Sequence, residues 1–144
     1  MFIGEYNHNL DEKGRLAVPS KFRVLLKGGA IVTRGLDNCL YLYPKKQWAK
    51  VAEKLAGLPT TSNPAARAYA RSTLGGAMDV DFDNQGRIVL PEYLRNFSAL
   101  KKKVVIVGLY DKLEIWNEEN WNKYKTKAEK DNNSIAESLG ELGI

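Results

Sequence analysis

Two short segments of the chain each place an aspartate four residues before an arginine, with a glycine between them. The first is LDEKGRL at residues 10–16, and the second is FDNQGRI at residues 82–88. The Asp-x-x-Gly order favours a type I turn, in which aspartate caps the first position and glycine adopts the positive φ that closes a hairpin through a bulge. Each segment therefore predicts an exposed tip on which an acid and a base lie close together.

The closeness of acid and base allows two interpretations. Asp11 and Arg15 could form an ion pair that only stabilises the hairpin, and exposed pairs of this type contribute roughly 0 to 1 kcal/mol. Alternatively, the carboxylate orients the guanidinium, whose planar fork can engage a phosphate or the O6 and N7 edge of guanine. Lys13 would add charge at the first tip, whereas Gln85 takes its place at the second. The occurrence of two such tips in one chain favours the second interpretation.

Both segments belong to a longer internal repeat. NLDEKGRLAVPSKFR at residues 9–23 aligns without gaps with DFDNQGRIVLPEYLR at residues 81–95, so that Asp, Gly, Arg, Pro and Arg recur at matching positions. After one inserted residue, GLDNCLYLYPKKQW at residues 35–48 aligns with GLYDKLEIWNEENW at residues 108–121. Self-similarity of this kind predicts two copies of one supersecondary unit.

Each copy predicts the same order of elements. Alternating polarity before the motif predicts a half-buried strand, a return strand follows the turn, and a proline then begins a short helix. A second strand pair is predicted near residues 30–34 with 39–43, and near 103–107 with 112–116. A helix then ends each unit, and Asn117 is the predicted N-cap of the second one.

The expected fold is α+β and compact. Single hairpins would leave sheet edges unpaired, but two units in one chain can interlock and cover each other's edges. We therefore predict one pseudo-two-fold, β-barrel-like body with flanking helices. The predicted organisation is a first repeat at residues 1–60, a connecting helix at 61–76, a second repeat at 77–130 and a polar C-terminal tail at 131–144.

Composition argues against several classes of protein. The net charge is +5, and residues 1–72 carry 12 Lys and Arg against 5 acids, while residues 73–144 carry 10 against 12. This basic excess is compatible with a polyanionic partner. One cysteine and one histidine cannot supply a disulfide or a usual zinc site, and no apolar run approaches the roughly 20 residues of a membrane span. Without the pattern of a secretion signal, we expect a cytoplasmic protein that binds no metal, cofactor, membrane or small-molecule substrate.

Other candidate residues have simpler explanations. His8 is expected to pack in or beside the core, and Cys39 to be an inert surface or strand cysteine. The lysine run at residues 101–103 could contact phosphate, although such runs are usually only solvated. Nothing near Asp79 and Asp81 supplies a nucleophile, a metal set or a phosphate loop, so we predict that the chain is not an enzyme. The aromatic residues expected to face a core rather than stack on bases are Tyr43, Trp48, Trp116 and Trp121.

Nearly the whole chain resembles the MraZ family of bacterial regulators. The resemblance runs from MFIGEYNHNLDEKGRLAVPSKFR through GLDNCLYLYP and DFDNQGRIVLPEYLR to GLYDKLEIWNEENW, and both D-x-x-x-R signatures are intact. A single signature would indicate only the wider group of AbrB-like swapped-hairpin DNA binders. The resemblance implies two tandem AbrB-like swapped-hairpin units, closed rings of several subunits, and binding to short direct repeats in promoter DNA.

The resemblance also implies a function and a set of contact residues. The chain would regulate transcription of the division and cell wall gene cluster from its own promoter, as a nucleoid-associated, ring-like homo-oligomer on double-stranded DNA. An RNA-binding accessory protein would share the basic tips, and a structural ring or adaptor protein would need no arginine there. Both alternatives stay open. The implied DNA-binding residues are Asp11, Lys13, Arg15, Asp83, Gln85 and Arg87.

Overall fold

The structure, a computed structural model, describes residues 1–143 and shows the predicted mixture of strands and helices. The strands are β1 (Phe2–Asn9), β2 (Arg15–Ala17), β3 (Ala30–Arg34), β4 (Leu40–Pro44), β5 (Met78–Val80), β6 (Arg87–Val89), β7 (Lys103–Tyr110) and β8 (Leu113–Asn117). The helices are α1 (Ser20–Arg23), α2 (Lys45–Ala56), α3 (Pro64–Thr73), α4 (Glu92–Phe97), α5 (Glu118–Lys130) and α6 (Asn132–Ser138), followed by a 3-10 turn at Gly140–Leu142.

Within residues 1–143, six strands form one antiparallel sheet, here called the main sheet. Its order is β1-β7-β8-β4-β3-β5, which is symmetric because β1 corresponds to β5, β7 to β3 and β8 to β4 in the repeat. At its centre β4 pairs with β8, and Tyr41 lies opposite Glu114. The α+β class and the two-repeat organisation are thus confirmed. The predicted barrel-like closure is not observed among these strands, because β1 and β5 lie at opposite edges.

The two return strands form a separate antiparallel pair, here called the short ribbon. Leu16 of β2 lies opposite Ile88 of β6, and these two residues occupy the same position in the repeat. The pseudo-two-fold axis therefore passes between them. Two hydrogen bonds related by this axis flank the ribbon: the N–H of Val18 donates to the carbonyl of Gly86 at 3.2 Å, and the N–H of Leu90 donates to the carbonyl of Gly14 at 2.8 Å.

Strands are exchanged between the two repeats. β1 of the first repeat pairs along its length with β7 of the second, from Phe2 opposite Tyr110 to Asn9 opposite Lys103. β5 of the second repeat pairs in turn with β3 of the first. The chain reverses at each turn as predicted, but the return strand pairs with the other return strand instead of continuing a hairpin ladder. The predicted interlocking of the two units is therefore correct.

The core lies between the main sheet and the short ribbon. Leu16 and Ile88 are fully buried there, together with Phe22 of α1 and Leu94 of α4. Full burial of aliphatic and aromatic side chains of this size stabilises a fold by about 1.5–3 kcal/mol each. The ribbon and the two short helices thus close one face of the sheet.

The other face of the main sheet is covered by α2 and α5. Trp48 of α2 packs on Tyr43, and Trp121 of α5 packs on Trp116, with ring centroids 5.7 Å and 5.2 Å apart. The predicted packing role of these four aromatic residues is confirmed. Asn117 caps α5 as predicted, since its side-chain oxygen accepts from the N–H of Asn120 at 2.9 Å.

The structure refines two expectations, for Cys39 and for the polar tail. Cys39 is fully buried just before β4 and is not a surface residue; its burial, with the nearby charge of Glu114, raises the pKa of the thiol and makes it unreactive. In the segment predicted as a polar tail, residues 132–138 form a helix in which every residue is exposed. No helix in the described part of the chain is long and apolar enough to cross a bilayer.

Candidate nucleic-acid interface

The first tip is the turn at residues 11–15. The carboxylate of Asp11 accepts hydrogen bonds from the backbone N–H groups of Lys13 at 3.0 Å and Arg15 at 2.8 Å. The guanidinium Nε of Arg15 donates to the same carboxylate at 2.5 Å. Gly14 has a φ of +79°, as the turn requires, and its N–H donates to the carbonyl of Asp11 at 3.0 Å. One carboxylate therefore orders both the turn and the arginine side chain.

The second tip, at residues 83–87, repeats this geometry. The carboxylate of Asp83 accepts from the backbone N–H groups of Gln85 at 2.8 Å and Arg87 at 2.9 Å. The Nε of Arg87 donates to Asp83 at 2.9 Å, and Gly86 has a φ of +76°. The agreement between the two tips shows that the acid, glycine and base at this spacing form one structural unit.

Both arginines lie on the outward face of the short ribbon. In an antiparallel pair, residues on one face alternate with residues on the other, and diagonal neighbours on one face lie about 7–8 Å apart. Arg15 stands opposite Val89, two residues beyond Arg87, so the two arginines are such diagonal neighbours. Their side chains are 33% and 26% exposed. The ribbon therefore presents two guanidinium groups to solvent on one surface.

Each aspartate side chain accepts a hydrogen bond from only one nitrogen of its partner's guanidinium group. Within residues 1–143, the bond from Arg15 to Asp11 uses Nε, and the bond from Arg87 to Asp83 uses the same atom. The two terminal nitrogens of each group remain available to a bidentate acceptor, such as a phosphate or the guanine edge. A pre-oriented fork loses less side-chain entropy on binding than a free arginine does. The arrangement is thus suited to recognition of a polyanion.

The acid that holds each tip should make stability depend on pH. The backbone N–H of Arg15, with the Arg15 side chain and the Lys13 N–H, lowers the pKa of Asp11, and the corresponding groups lower the pKa of Asp83. Because the folded pKa lies below the unfolded value of about 3.9, this stabilisation is present above about pH 4 and is lost as the pH falls through the folded pKa.

We therefore expect Asp11→Asn and Asp83→Asn to melt below the wild-type temperature near neutral pH. The gap should narrow as the pH falls below about 4, because the wild-type carboxylates are then protonated too. Thermal unfolding followed by circular dichroism from about pH 7 to pH 2 measures this gap. A gap that stays constant over the whole range would contradict the assignment of the effect to these carboxylates.

Sequence reasoning gave too little weight to the basic residues that surround the tips. Arg95 of the second repeat lies beneath the first turn, where its Nε is 2.8 Å from the place that a Cβ on Gly14 would take. The lysine run at residues 101–103 also borders the first tip, because the N–H of Leu10 donates to the carbonyl of Lys102 at 2.8 Å. The recurrence of Arg23 and Arg95 at matching positions of the repeat could have indicated that these arginines matter. No sequence pattern indicates the exchange of strands that places the lysines beside the first tip.

The remaining candidate residues lie away from the tips. His8 is partly buried on β1 opposite Val104, and burial lowers its pKa, as expected for a packing residue. Asp79 of β5 forms an ion pair with Lys45 at 3.5 Å. In residues 1–143, no group of His, Cys, Asp and Glu side chains is arranged to hold a metal ion.

Comparison with known proteins places the chain among transcriptional regulators. A family described as "MraZ protein, putative antitoxin-like" matches it twice, at residues 1–72 and 73–140. Proteins named "Transcriptional regulator MraZ" from Halothermothrix orenii and Natranaerobius thermophilus are 45% and 46% identical to it over 144 residues. The protein of that name from Clostridium acetobutylicum is 46% identical, and in all three cases the match covers 100% of both chains.

The two matched segments coincide with the two copies of the repeat, and the relatives span the full chain at well over 40% identity. Transcriptional regulation, which these relatives are named for, is not a class of enzymatic activity. With two tandem units, two matched tips and full-length relatives of one name, the chain belongs to the MraZ family of transcriptional regulators.

Proposed function

We propose that this protein regulates transcription by binding duplex DNA through the two arginine-bearing tips of the short ribbon. The observation that carries the proposal is the placement of Arg15 and Arg87 on one exposed face, each held by an aspartate. Lys13 and Gln85 are exposed at the same tips and complete the proposed contact set with Asp11 and Asp83. The aspartates act by positioning the arginines, since a carboxylate would itself be repelled by phosphate.

The proposed target follows from the family resemblance. We infer that the protein binds short direct repeats in its own promoter, within the division and cell wall gene cluster, and acts in the cytoplasm at the nucleoid. A single subunit offers few basic groups, and phosphate binding weakens with salt by about 0.9 log units per log unit of salt for each neutralised phosphate. Several subunits bound side by side would overcome this weakness, because linked binding events raise overall affinity.

A mobility-shift titration on DNA upstream of the protein's own gene tests the proposal. We expect a retarded complex that survives an excess of unrelated duplex, and that structured RNA at equal nucleotide concentration does not displace. Footprinting of the same fragment should protect repeats at regular spacing. Equal competition by structured RNA would support an RNA-binding accessory protein and overturn the proposal.

Self-association into a ring-like homo-oligomer is a second part of the proposal. β1 is a long edge strand of the main sheet, and edge strands offer free backbone groups for pairing with another chain. Next to this edge Ile3, Leu109 and Tyr110 are 57%, 43% and 70% exposed, so that apolar surface accompanies the free edge. Identical subunits that join through two different surfaces form rings when the rotation between them closes.

Light scattering coupled to size-exclusion chromatography checks the oligomeric state. We expect a mass several times that of the monomer at micromolar concentration, and a shift toward smaller species in Ile3→Lys, which places a charge on the apolar surface beside the edge. Lys127→Ala on the exposed face of α5 is the control for a surface change elsewhere. A wild-type mass equal to that of one chain would refute self-association.

A further inference from the structure

We propose that the lysine run at residues 101–103 is part of the DNA-contact surface of the first tip, and that the first tip is therefore the main DNA anchor of each subunit. The inference rests on the proposed function and extends it to residues of the second repeat. The ligand of this surface is the phosphate backbone of duplex DNA.

Placement brings the lysine run beside Arg15. The N–H of Leu10 donates to the carbonyl of Lys102 at 2.8 Å, and Leu10 also forms a β-bridge with Leu16. Lys102 and Leu16 thus lie on either side of Leu10, in three neighbouring chain segments. Adjacent segments of this kind lie about 4.8 Å apart, which places the Lys102 backbone about 10 Å from that of Leu16, the residue after Arg15. With their backbones this far apart, a lysine and an arginine side chain can contact neighbouring phosphates of one DNA strand.

Lys103 lines a separate recess with Glu118. The other two lysines of the run line one surface groove with the first tip. Its walls include Asp11 and Glu12 from the tip, Lys101 and Lys102 from the run, and Arg95 from α4. All three lysines of the run are exposed. Across residues 1–143, the ion pairs with a nitrogen to oxygen distance within 4.0 Å include none of these lysines. None of the three ammonium groups is therefore paired with a carboxylate of these residues within this distance, which leaves each of them able to contact a phosphate.

The corresponding segment at the second tip carries one lysine, Lys27, instead of three. Lys101 and Lys102 come directly before β7, whereas Gly28 and Gly29 come directly before β3, the matching strand of the first repeat. β3 is the strand that β5 joins, and Ala30, which follows these glycines, lies opposite Val80, so the glycines lie near the second tip. The pseudo-two-fold axis thus relates a lysine run to a pair of glycines.

The strands that lead into the tips differ in the same direction. Asn7 and Asn9 of β1 correspond to Asp79 and to Asp81, which directly follows β5. Asp81 is exposed and approaches the second tip with a negative charge that Asn9 lacks. The change from Lys13 to Gln85 is offset by the change from Glu12 to Asn84, so the two turns themselves carry the same net charge. The lysine run and the exchange of Asn9 for Asp81 therefore make the surroundings of the first tip the more positive ones, although the backbone geometry of the two tips is nearly the same.

The experiment compares two triple variants that remove the same charge. The test variant is Lys101→Gln, Lys102→Gln, Lys103→Gln, and the control is Lys46→Gln, Lys50→Gln, Lys54→Gln on α2, which covers the face of the main sheet opposite the ribbon. All six lysines are exposed, so both variants should fold, and circular dichroism melts verify this. Binding to duplex from upstream of the gene is titrated over a series of salt concentrations.

We expect the test variant to lose on the order of fivefold to tenfold in affinity per contacting lysine and bound subunit near 0.1 M salt, and its salt slope to fall by about 0.9 for each lost phosphate contact. The control should bind like the wild type. If the test variant matches the control in affinity and slope, the inference is overturned.

Arg15→Ala in the same assay separates this inference from the proposed function. If Arg15→Ala loses binding while the lysine test variant binds normally, only the inference about the lysines is overturned, and the proposed function stands. Normal binding in both variants would defeat the proposed function as well. A gain in affinity in the double variant Asp81→Asn, Gln85→Lys would further support the difference between the tips.

Discussion

Arg15→Ala is expected to abolish specific binding to promoter DNA while leaving the fold intact. Each bidentate contact between arginine and a base edge contributes about 1–3 kcal/mol of discrimination, and in an oligomer the loss recurs in every bound subunit. The side chain is one-third exposed and contacts Asp11, so its removal leaves no buried group without a partner. A mobility-shift titration of folded protein measures the effect directly.

Two further variants show which property of Arg15 matters. Arg71→Ala removes the same charge from an exposed position on α3 and should bind like the wild type, which excludes an effect of net charge. Arg15→Lys keeps the charge but loses the planar fork. Compared with Arg15→Ala, we therefore expect it to recover nonspecific DNA binding more than specific binding. Unchanged operator affinity in folded Arg15→Ala would remove the basis of the proposed function.

Neither half of the chain is expected to fold alone as a monomer. Of the six strand pairings in residues 1–143, four join one repeat to the other, and only β3–β4 and β7–β8 lie within a single repeat. A fragment of residues 1–76 would keep one hairpin, and an isolated two-stranded hairpin is marginally stable in water. The whole free energy of folding, typically 5–15 kcal/mol for a domain, would be lost in the monomer.

Circular dichroism and sedimentation of the fragment check this expectation. Co-expression of residues 1–76 with residues 77–144 is the control, since it supplies every strand and breaks only one peptide bond; we expect the pair to assemble and melt cooperatively. Any folded fraction of residues 1–76 alone should sediment as a dimer, in which each copy provides the missing strands of the other. A cooperative melt from a monomeric fragment would contradict the exchanged topology.

Local features of this fold were predictable because their causes are local. The Asp-x-x-Gly spacing is sufficient to specify the turn, and it gave the positive φ of Gly14 and Gly86. Periodicity and capping gave α2 and the start of α5 at Asn117. The internal repeat gave two equivalent units and the suggestion that they interlock. The acid and base of each tip were correctly expected to meet.

Features that depend on distant parts of the chain were not predictable. Nothing in the sequence near Leu10 indicates that its N–H will pair with Lys102, because the pairing of β1 with β7 follows from how two units share one core. For the same reason the open sheet was mistaken for a barrel. The burial of Cys39 depends on α5 and on the neighbouring strands, which no local pattern reveals. Whether the tips contact DNA stays a prediction.

The axis between Leu16 and Ile88 relates the backbones of the two repeats but not their charges. A truly two-fold protein has interchangeable halves, and it therefore suits an operator whose half-sites are inverted copies of each other. In this chain the end with Lys13 differs from the end with Gln85, so rotating the subunit by half a turn exchanges unlike partners for the DNA. In the proposed complex the subunit would consequently have a defined direction along the double helix. A row of subunits that all bind in this direction would match sites that all point the same way.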